Sequence, residues 1–139
     1  MRYKTELDYI KSLNKVDFDP CTLSVQGFAE EFKEYKEHFG YDFFSFFFNH
    51  SHLISKSSIE NFLDLIWVTD NLKEALEFEE QLFELCQSTD AGVADKALNL
   101  FAHASCEDDI EYDYTKLLKL NIKIKYLKEY AKSIAGVKE

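Results

Sequence analysis

The sequence predicts an all-α protein: a single domain over residues 1–139, built as an irregular bundle of about six to seven helices. Three observations lead to this prediction. Apolar residues recur at intervals of three and four along most of the chain. Four glycines and one proline are too few for the tight turns of a sandwich or barrel. Thirteen phenylalanines, eight tyrosines and one tryptophan supply enough aromatic area for a core rich in phenylalanine.

Two amphipathic helices are predicted at the N-terminus. The first has an apolar face made by Tyr3, Leu7, Ile10 and Leu13. Asp19 fits an N-cap and Pro20 the first position of the second helix, which should end at Gly40. The apolar stripe of the second helix consists of Val25, Phe28, Phe32, Tyr35 and Phe39.

Residues 41–48 form the most apolar segment, with five phenylalanines in six positions. On a helix these rings would cover most of the circumference, so we expect the segment to be buried on nearly all sides. Periodicity alone leaves a short buried strand open as the alternative. Residues 49–52, Asn-His-Ser-His, predict a loop.

The next helix is predicted from a capping box. Ser57 and Glu60 have the spacing of such a box, and apolar residues follow at helical intervals over residues 59–67. Asp70 and the asparagine after it should interrupt this helix.

A single helix is predicted over residues 72–86, with its glutamates close to one continuous stripe. That stripe consists of Glu74, Glu77, Glu80 and Glu84. A turn at residues 88–90 should lead into an amphipathic helix over residues 93–104, and residues 107–113 predict an acidic connection.

The last segment fits two patterns. Alternate apolar residues over 118–126 suit a strand, but a heptad-like face runs from Ile110 to Ile134 and covers a longer span. We favour a helix, because the many lysines and Ala131 suit one.

Charge is divided unevenly along the chain, whose formal net charge is −10. Residues 57–113 hold 15 carboxylates against only Lys73 and Lys96, whereas residues 116–139 hold seven lysines and two glutamates. Such a field favours a cationic partner and fast steered association. It opposes direct nucleic-acid binding, since phosphates are repelled and Arg2 is the only arginine. The same charge could instead serve solubility alone.

Catalytic patterns are missing from the sequence. It contains neither a glycine-rich phosphate loop nor a serine nucleophile elbow. No histidines, cysteines and acids have the spacing of a known metal site. We therefore expect no enzyme activity, no cofactor and no metal.

Compartment is predicted from the cysteines and the apolar runs. Three cysteines at long spacings imply no disulfide framework, which favours the reducing cytoplasm. The first residues do not resemble a signal peptide. Residues 41–48 are far shorter than the roughly 20 residues needed to cross a bilayer, so we expect no membrane partner.

We predict a partner-binding surface that combines carboxylates with Tyr112 as an amphipathic anchor. Its residues are Glu74, Glu77, Glu80, Glu84, Asp108, Asp109, Glu111, Tyr112 and Asp113.

In size, acidity and aromatic content the chain resembles bacterial immunity proteins, the cytosolic inhibitors of nuclease toxins such as colicins and contact-dependent inhibition toxins. Residues 108–113 are the kind of segment such an inhibitor would use. The resemblance implies a small, helical inhibitor that covers the nucleic-acid surface of a basic toxin domain. The alternative is a helical adaptor or homodimeric protein that binds through apolar surface, for example exposed parts of residues 43–48. The oligomeric state is left open.

Overall fold

The structure is a computed structural model that describes residues 2–16 and 18–136. Over these residues it contains eight α-helices, four short 3-10 helices and no strand, which confirms the all-α prediction. The eighth helix arises because the helix predicted over residues 72–86 is two helices. The chain divides into two compact units, Met1–Asn71 and Leu72–Glu139. The single domain over residues 1–139 stays a prediction.

The first unit contains four α-helices. They are α1 (Glu6–Ser12), α2 (Gln26–Phe39), α3 (Asp42–Asn49) and α4 (Lys56–Val68). Short 3-10 turns lie at Leu13–Lys15, Leu23–Val25 and Ser51–Leu53. Gly40 ends α2 with a positive φ of 66°, a conformation that glycine adopts without strain, so the predicted stop is confirmed.

The predicted start of α2 at Pro20 is wrong. The Asp19 carboxylate accepts a hydrogen bond from the backbone N–H of Cys21 at 2.9 Å, which closes a turn around the proline. Thr22 then caps the 3-10 turn, and α2 begins only at Gln26.

The predicted capping box of α4 is also displaced. Ser55, not Ser57, is the N-cap, and its hydroxyl accepts a hydrogen bond from the Ser58 backbone N–H at 3.2 Å. Three serines in four positions offer several similar caps, so spacing alone could not select the correct one.

Aromatic rings fill the core of the first unit. Residues 42–49 are helical, so the strand alternative is wrong, and Phe43 and Phe47 on α3 are fully buried. The Phe47 ring stacks on Phe62 of α4 at 3.9 Å, and Phe32 of α2 meets Phe62 edge-on at 5.1 Å. Only Phe46 of the five phenylalanines is half-buried. The phenylalanine-rich core is confirmed.

The second unit is arranged around one long helix. Its elements are α5 (Leu72–Leu76), α6 (Glu79–Cys86), α7 (Ala91–Ser105), a 3-10 helix (Tyr114–Lys119) and α8 (Lys125–Ile134). Asp90 caps α7, and the predicted apolar face of α7 is buried against α6 and α8.

The continuous helix predicted from Ile110 to Ile134 is wrong. After the 3-10 helix, residues 120–124 are not helical, the backbone is extended at Leu120 and Ile124, and α8 starts at Lys125. Gln87 at the end of α6 holds this non-helical segment. Its side-chain oxygen accepts from the Asn121 backbone N–H at 2.8 Å, and its carbonyl accepts from Lys123 Nζ at 3.0 Å.

Every helix in the described part of the chain is too short or too polar to cross a lipid bilayer.

Candidate partner-binding surface

All nine residues of the predicted surface lie in the second unit, between Glu74 and Asp113. They are carried by α5, the turn after it, α6 and the connection 106–113 that follows α7. Seven of the eight carboxylates are exposed, and Glu74 and the Tyr112 ring are half-buried.

The predicted continuous glutamate stripe is wrong, because the helix breaks after Leu76. The backbone N–H groups of Glu77 and Phe78 donate to carbonyls three residues back, at 3.2 and 3.0 Å. These bonds tighten the chain into a turn, and α6 then starts at Glu79. Glu74 therefore lies on α5 and Glu77 on the turn, whereas Glu80 and Glu84 lie on α6.

A groove of about 350 Å³ gathers part of the predicted surface. One wall comes from α5 and the turn after it, and the other from the connection 106–113. Its lining consists of Lys73, Leu76, Glu77, Asp109, Ile110, Glu111 and Tyr112. Four of the nine predicted residues are thus brought together. The lining does not include Glu74, Glu80, Glu84, Asp108 or Asp113.

An ion pair joins the two walls of the groove. Lys73 Nζ lies 2.9 Å from Asp109 Oδ2, and both side chains are largely exposed. The ammonium of Lys73 hydrogen-bonds the Asp109 carboxyl and holds its pKa below the usual range. Asp109 is therefore ionised at neutral pH, and one cation of the chain itself lies against it.

Tyr112 is fixed in place by contacts within the second unit. Its hydroxyl donates a hydrogen bond to Glu79 Oε1, and its ring lies 5.7 Å from Phe101 and 5.1 Å from Tyr114. The Lys116 ammonium lies 5.3 Å from the ring centroid. The ring is half-buried, so Tyr112 offers a partner part of a pre-positioned ring rather than a mobile side chain.

Glu79 is a charged residue of this surface that the sequence did not single out. Its Oε1 accepts from the Tyr112 hydroxyl and, at 3.0 Å, from Lys116 Nζ. The Tyr112 hydrogen bond, followed by Lys116, lowers the pKa of Glu79, whereas burial and the Glu79 hydrogen bond raise the pKa of Tyr112. Nothing in the local spacing relates residue 79 to residue 112.

Asp113 has a structural role on the same connection. Its carboxylate caps the 3-10 helix by accepting from the Thr115 backbone N–H at 3.1 Å. Hydrogen bonds from the Thr115 side chain and backbone lower the pKa of Asp113. Asp108 and Glu111 are exposed on this connection.

The structure offers no metal cage in the part of the chain that it describes: no three His, Cys, Asp or Glu side chains there are arranged to hold an ion. Cys86 is fully buried on α6, and burial raises the pKa of its thiol. A buried neutral thiol is a poor nucleophile.

Comparison of the chain with protein-family models, with curated proteins and with solved structures finds no match.

Proposed function

We propose that this chain is a non-catalytic, acidic protein-binding module: an immunity protein of the bacterial cytoplasm that neutralises a basic nuclease toxin domain by electrostatic complementarity. One observation carries the proposal. Glu77, Asp109 and Glu111 line one groove together with Leu76, Ile110 and Tyr112. Carboxylates beside apolar contact area suit a partner surface rich in lysine and arginine.

The charge distribution supports fast capture of such a partner. Residues 57–113 concentrate 15 carboxylates, and the whole chain carries a net charge of −10. A nuclease must present cationic side chains to bind phosphates, and the same side chains are attracted by this surface. Steering of this kind raises association rates and weakens as salt screens the charges.

The first experiment identifies the partner. The chain is used to capture proteins from the source organism's lysate at roughly 50 mM salt, and bound proteins are eluted toward roughly 1 M. We expect a basic protein to leave at a defined salt step, and the purified chain to inhibit its nuclease activity stoichiometrically. A captured protein that cuts nucleic acid equally well with and without the chain would contradict the proposal.

Charge reversal then tests the surface itself. Asp108→Lys with Asp109→Lys should slow association with the captured nuclease about ten-fold at low salt. Glu34→Lys with Glu37→Lys is the matched control, because both glutamates are exposed on α2 and the change in net charge is identical. Equal slowing by the two double variants would remove the acidic surface from the mechanism.

A second candidate function, binding of a partner through apolar surface, is favoured by a different groove. The phenylalanines first suggested for it are mostly buried, but a groove of about 210 Å³ lies between the 3-10 helix and α8. Leu118, which is 45% exposed, lines this groove together with Leu120 and Ile122. A partner held there would stay bound as salt rises, which separates the two functions in the capture experiment.

A further inference from the structure

We infer that the groove between α5 and the connection 106–113 receives one arginine or lysine side chain of the partner, whose cationic end replaces Lys73 on Asp109. This inference rests on the proposed function, because it takes the groove as part of the surface that meets the partner. The inference adds to that function the type of side chain that is recognised, and it names Lys73 as a residue of the chain itself that competes for Asp109.

The lining of the groove has two parts, apolar side chains and charged side chains. Leu76, Ile110 and Tyr112 supply side-chain surface for an aliphatic stem. Glu77, Asp109 and Glu111 supply three carboxylates at the same groove. A long side chain with an apolar stem and a cationic end matches both parts, and only lysine and arginine have this form.

The ammonium of Lys73 shows where a cation can bind at the groove. Its ammonium lies 2.9 Å from Asp109 Oδ2, the geometry of a charge-assisted hydrogen bond. Against the three carboxylates of the lining, Lys73 is the one cation that also lines the groove among the described residues. The lining therefore keeps a net negative charge that attracts a further cation.

The ion pair between Lys73 and Asp109 is easily displaced. The side chains of Lys73 and Asp109 are 62% and 69% exposed, so water competes for both charges. Exposed ion pairs of this kind contribute little, and their separation costs correspondingly little. An arginine has a further advantage over Lys73, because its planar guanidinium can donate two parallel hydrogen bonds to one carboxylate.

Competition by Lys73 has a measurable consequence. Any incoming cation must displace the Lys73 ammonium from Asp109, so the affinity of the groove is lowered by the strength of that pair. Removal of the Lys73 charge should therefore strengthen binding of a cationic side chain. Removal of a lysine outside the groove should change binding only through the net charge.

The test uses Nα-acetyl-arginine amide as the probe, with Nα-acetyl-citrulline amide as a neutral control of nearly the same shape. Each is titrated into the full chain labelled with ¹⁵N, and the backbone amide shifts are followed. We expect saturable shifts from the arginine probe at Asp109, Ile110 and Glu111, and much smaller shifts from citrulline. Equal shifts from the two probes, or arginine shifts spread evenly over the acidic surface, would overturn the inference.

Two lysine variants test the competition. We expect Lys73→Met to tighten arginine binding about two-fold, in keeping with the small contribution of an exposed ion pair. Lys125→Met changes the net charge equally but lies on α8, outside the groove lining, and should tighten binding less. Equal tightening by both variants would show that Lys73 does not compete and would overturn the inference.

The outcomes separate this inference from the proposed function. If a basic nuclease is captured and inhibited but the arginine probe does not bind the groove, the recognition step proposed for the groove is wrong and the inhibitor function stands. If the probe binds as expected but no nuclease is inhibited, the groove recognises cations and the inhibitor function is wrong.

Discussion

The two units of the chain use their side chains differently. In the first unit, rings from α2, α3 and α4 pack directly on one another, as Phe47 does on Phe62 at 3.9 Å. In the second unit, α7 buries small residues such as Ala97 and Ala104, and polar contacts join the surrounding segments. The Tyr130 hydroxyl donates to Asn99, for example, and links α8 to α7. Aromatic packing thus dominates the core of one unit, whereas mostly small and aliphatic side chains fill the core of the other, and polar contacts shape the surface where the proposed binding groove lies.

The largest expected effect is loss of a central ring in the first unit. Phe62→Ala should lower the free energy of unfolding by about 3–5 kcal/mol, because a fully buried phenylalanine leaves a cavity. Urea unfolding followed by fluorescence of Trp67, on the same helix, measures this effect. Phe46→Ala is the control, since Phe46 is half-buried and should cost less than half as much. Equal costs would show that the stacked rings do not dominate the stability of this unit.

In the second unit, we expect the free energy of unfolding to depend on pH through Glu79. The lowered pKa of Glu79 means that its carboxylate stabilises the fold above pH 4.5, and this contribution is lost as the pH falls through the lowered value. Glu79→Gln should therefore cost about 1 kcal/mol at pH 7 and progressively less below pH 4.5. Urea unfolding followed by circular dichroism at several pH values measures the difference. A constant difference between wild type and variant would contradict the assigned role of the charge.

A smaller effect is expected at Tyr9, whose hydroxyl lies in the core of the first unit. Its ring stacks on Tyr35 at 4.3 Å, while its buried hydroxyl lacks a hydrogen-bond partner among the described residues. Tyr9→Phe should leave the free energy of unfolding unchanged or raise it by about 1 kcal/mol. Thermal unfolding checks this, and a loss of more than about 1 kcal/mol would show that the hydroxyl is bonded in solution.

The smallest effect on stability is expected at the groove. Lys73→Met should change the free energy of unfolding by less than about 0.5 kcal/mol, because both members of its ion pair are exposed. The same urea experiment, repeated at high salt, measures it. A larger loss that disappears in salt would mean that the pair is a structural contact rather than a displaceable one.

Sequence patterns predicted the helices best where burial decides them. The apolar spacing of α4 and α7 was sufficient because α7 buries one continuous face and α4 is buried on nearly all sides over residues 62–66. Prediction failed where a local polar contact competes with helix formation, as at Asp19, where a turn forms instead of a cap. The non-helical segment 120–124 is held by Gln87, more than 30 positions earlier, and no local pattern carries that information.

Only part of the candidate surface could be predicted. The acidic connection was evident from composition, and four of the predicted residues do line one groove. The roles of Lys73 and Glu79 were missed because each depends on a residue more than 30 positions away, Asp109 and Tyr112 respectively. Composition indicates the sign of the net charge on a surface, but only the fold shows which charges already have partners within the chain.

Because Cys86 is buried, the rate at which its thiol reacts reports on opening of the second unit. Cys21 and Cys106 are exposed, so a thiol reagent should modify both at once, whereas Cys86 reacts only when α6 separates from its neighbours. The delay before the third thiol reacts therefore reports how often this half of the molecule opens. Under oxidative stress the same order would apply, and the two outer cysteines would be consumed while the inner one survives.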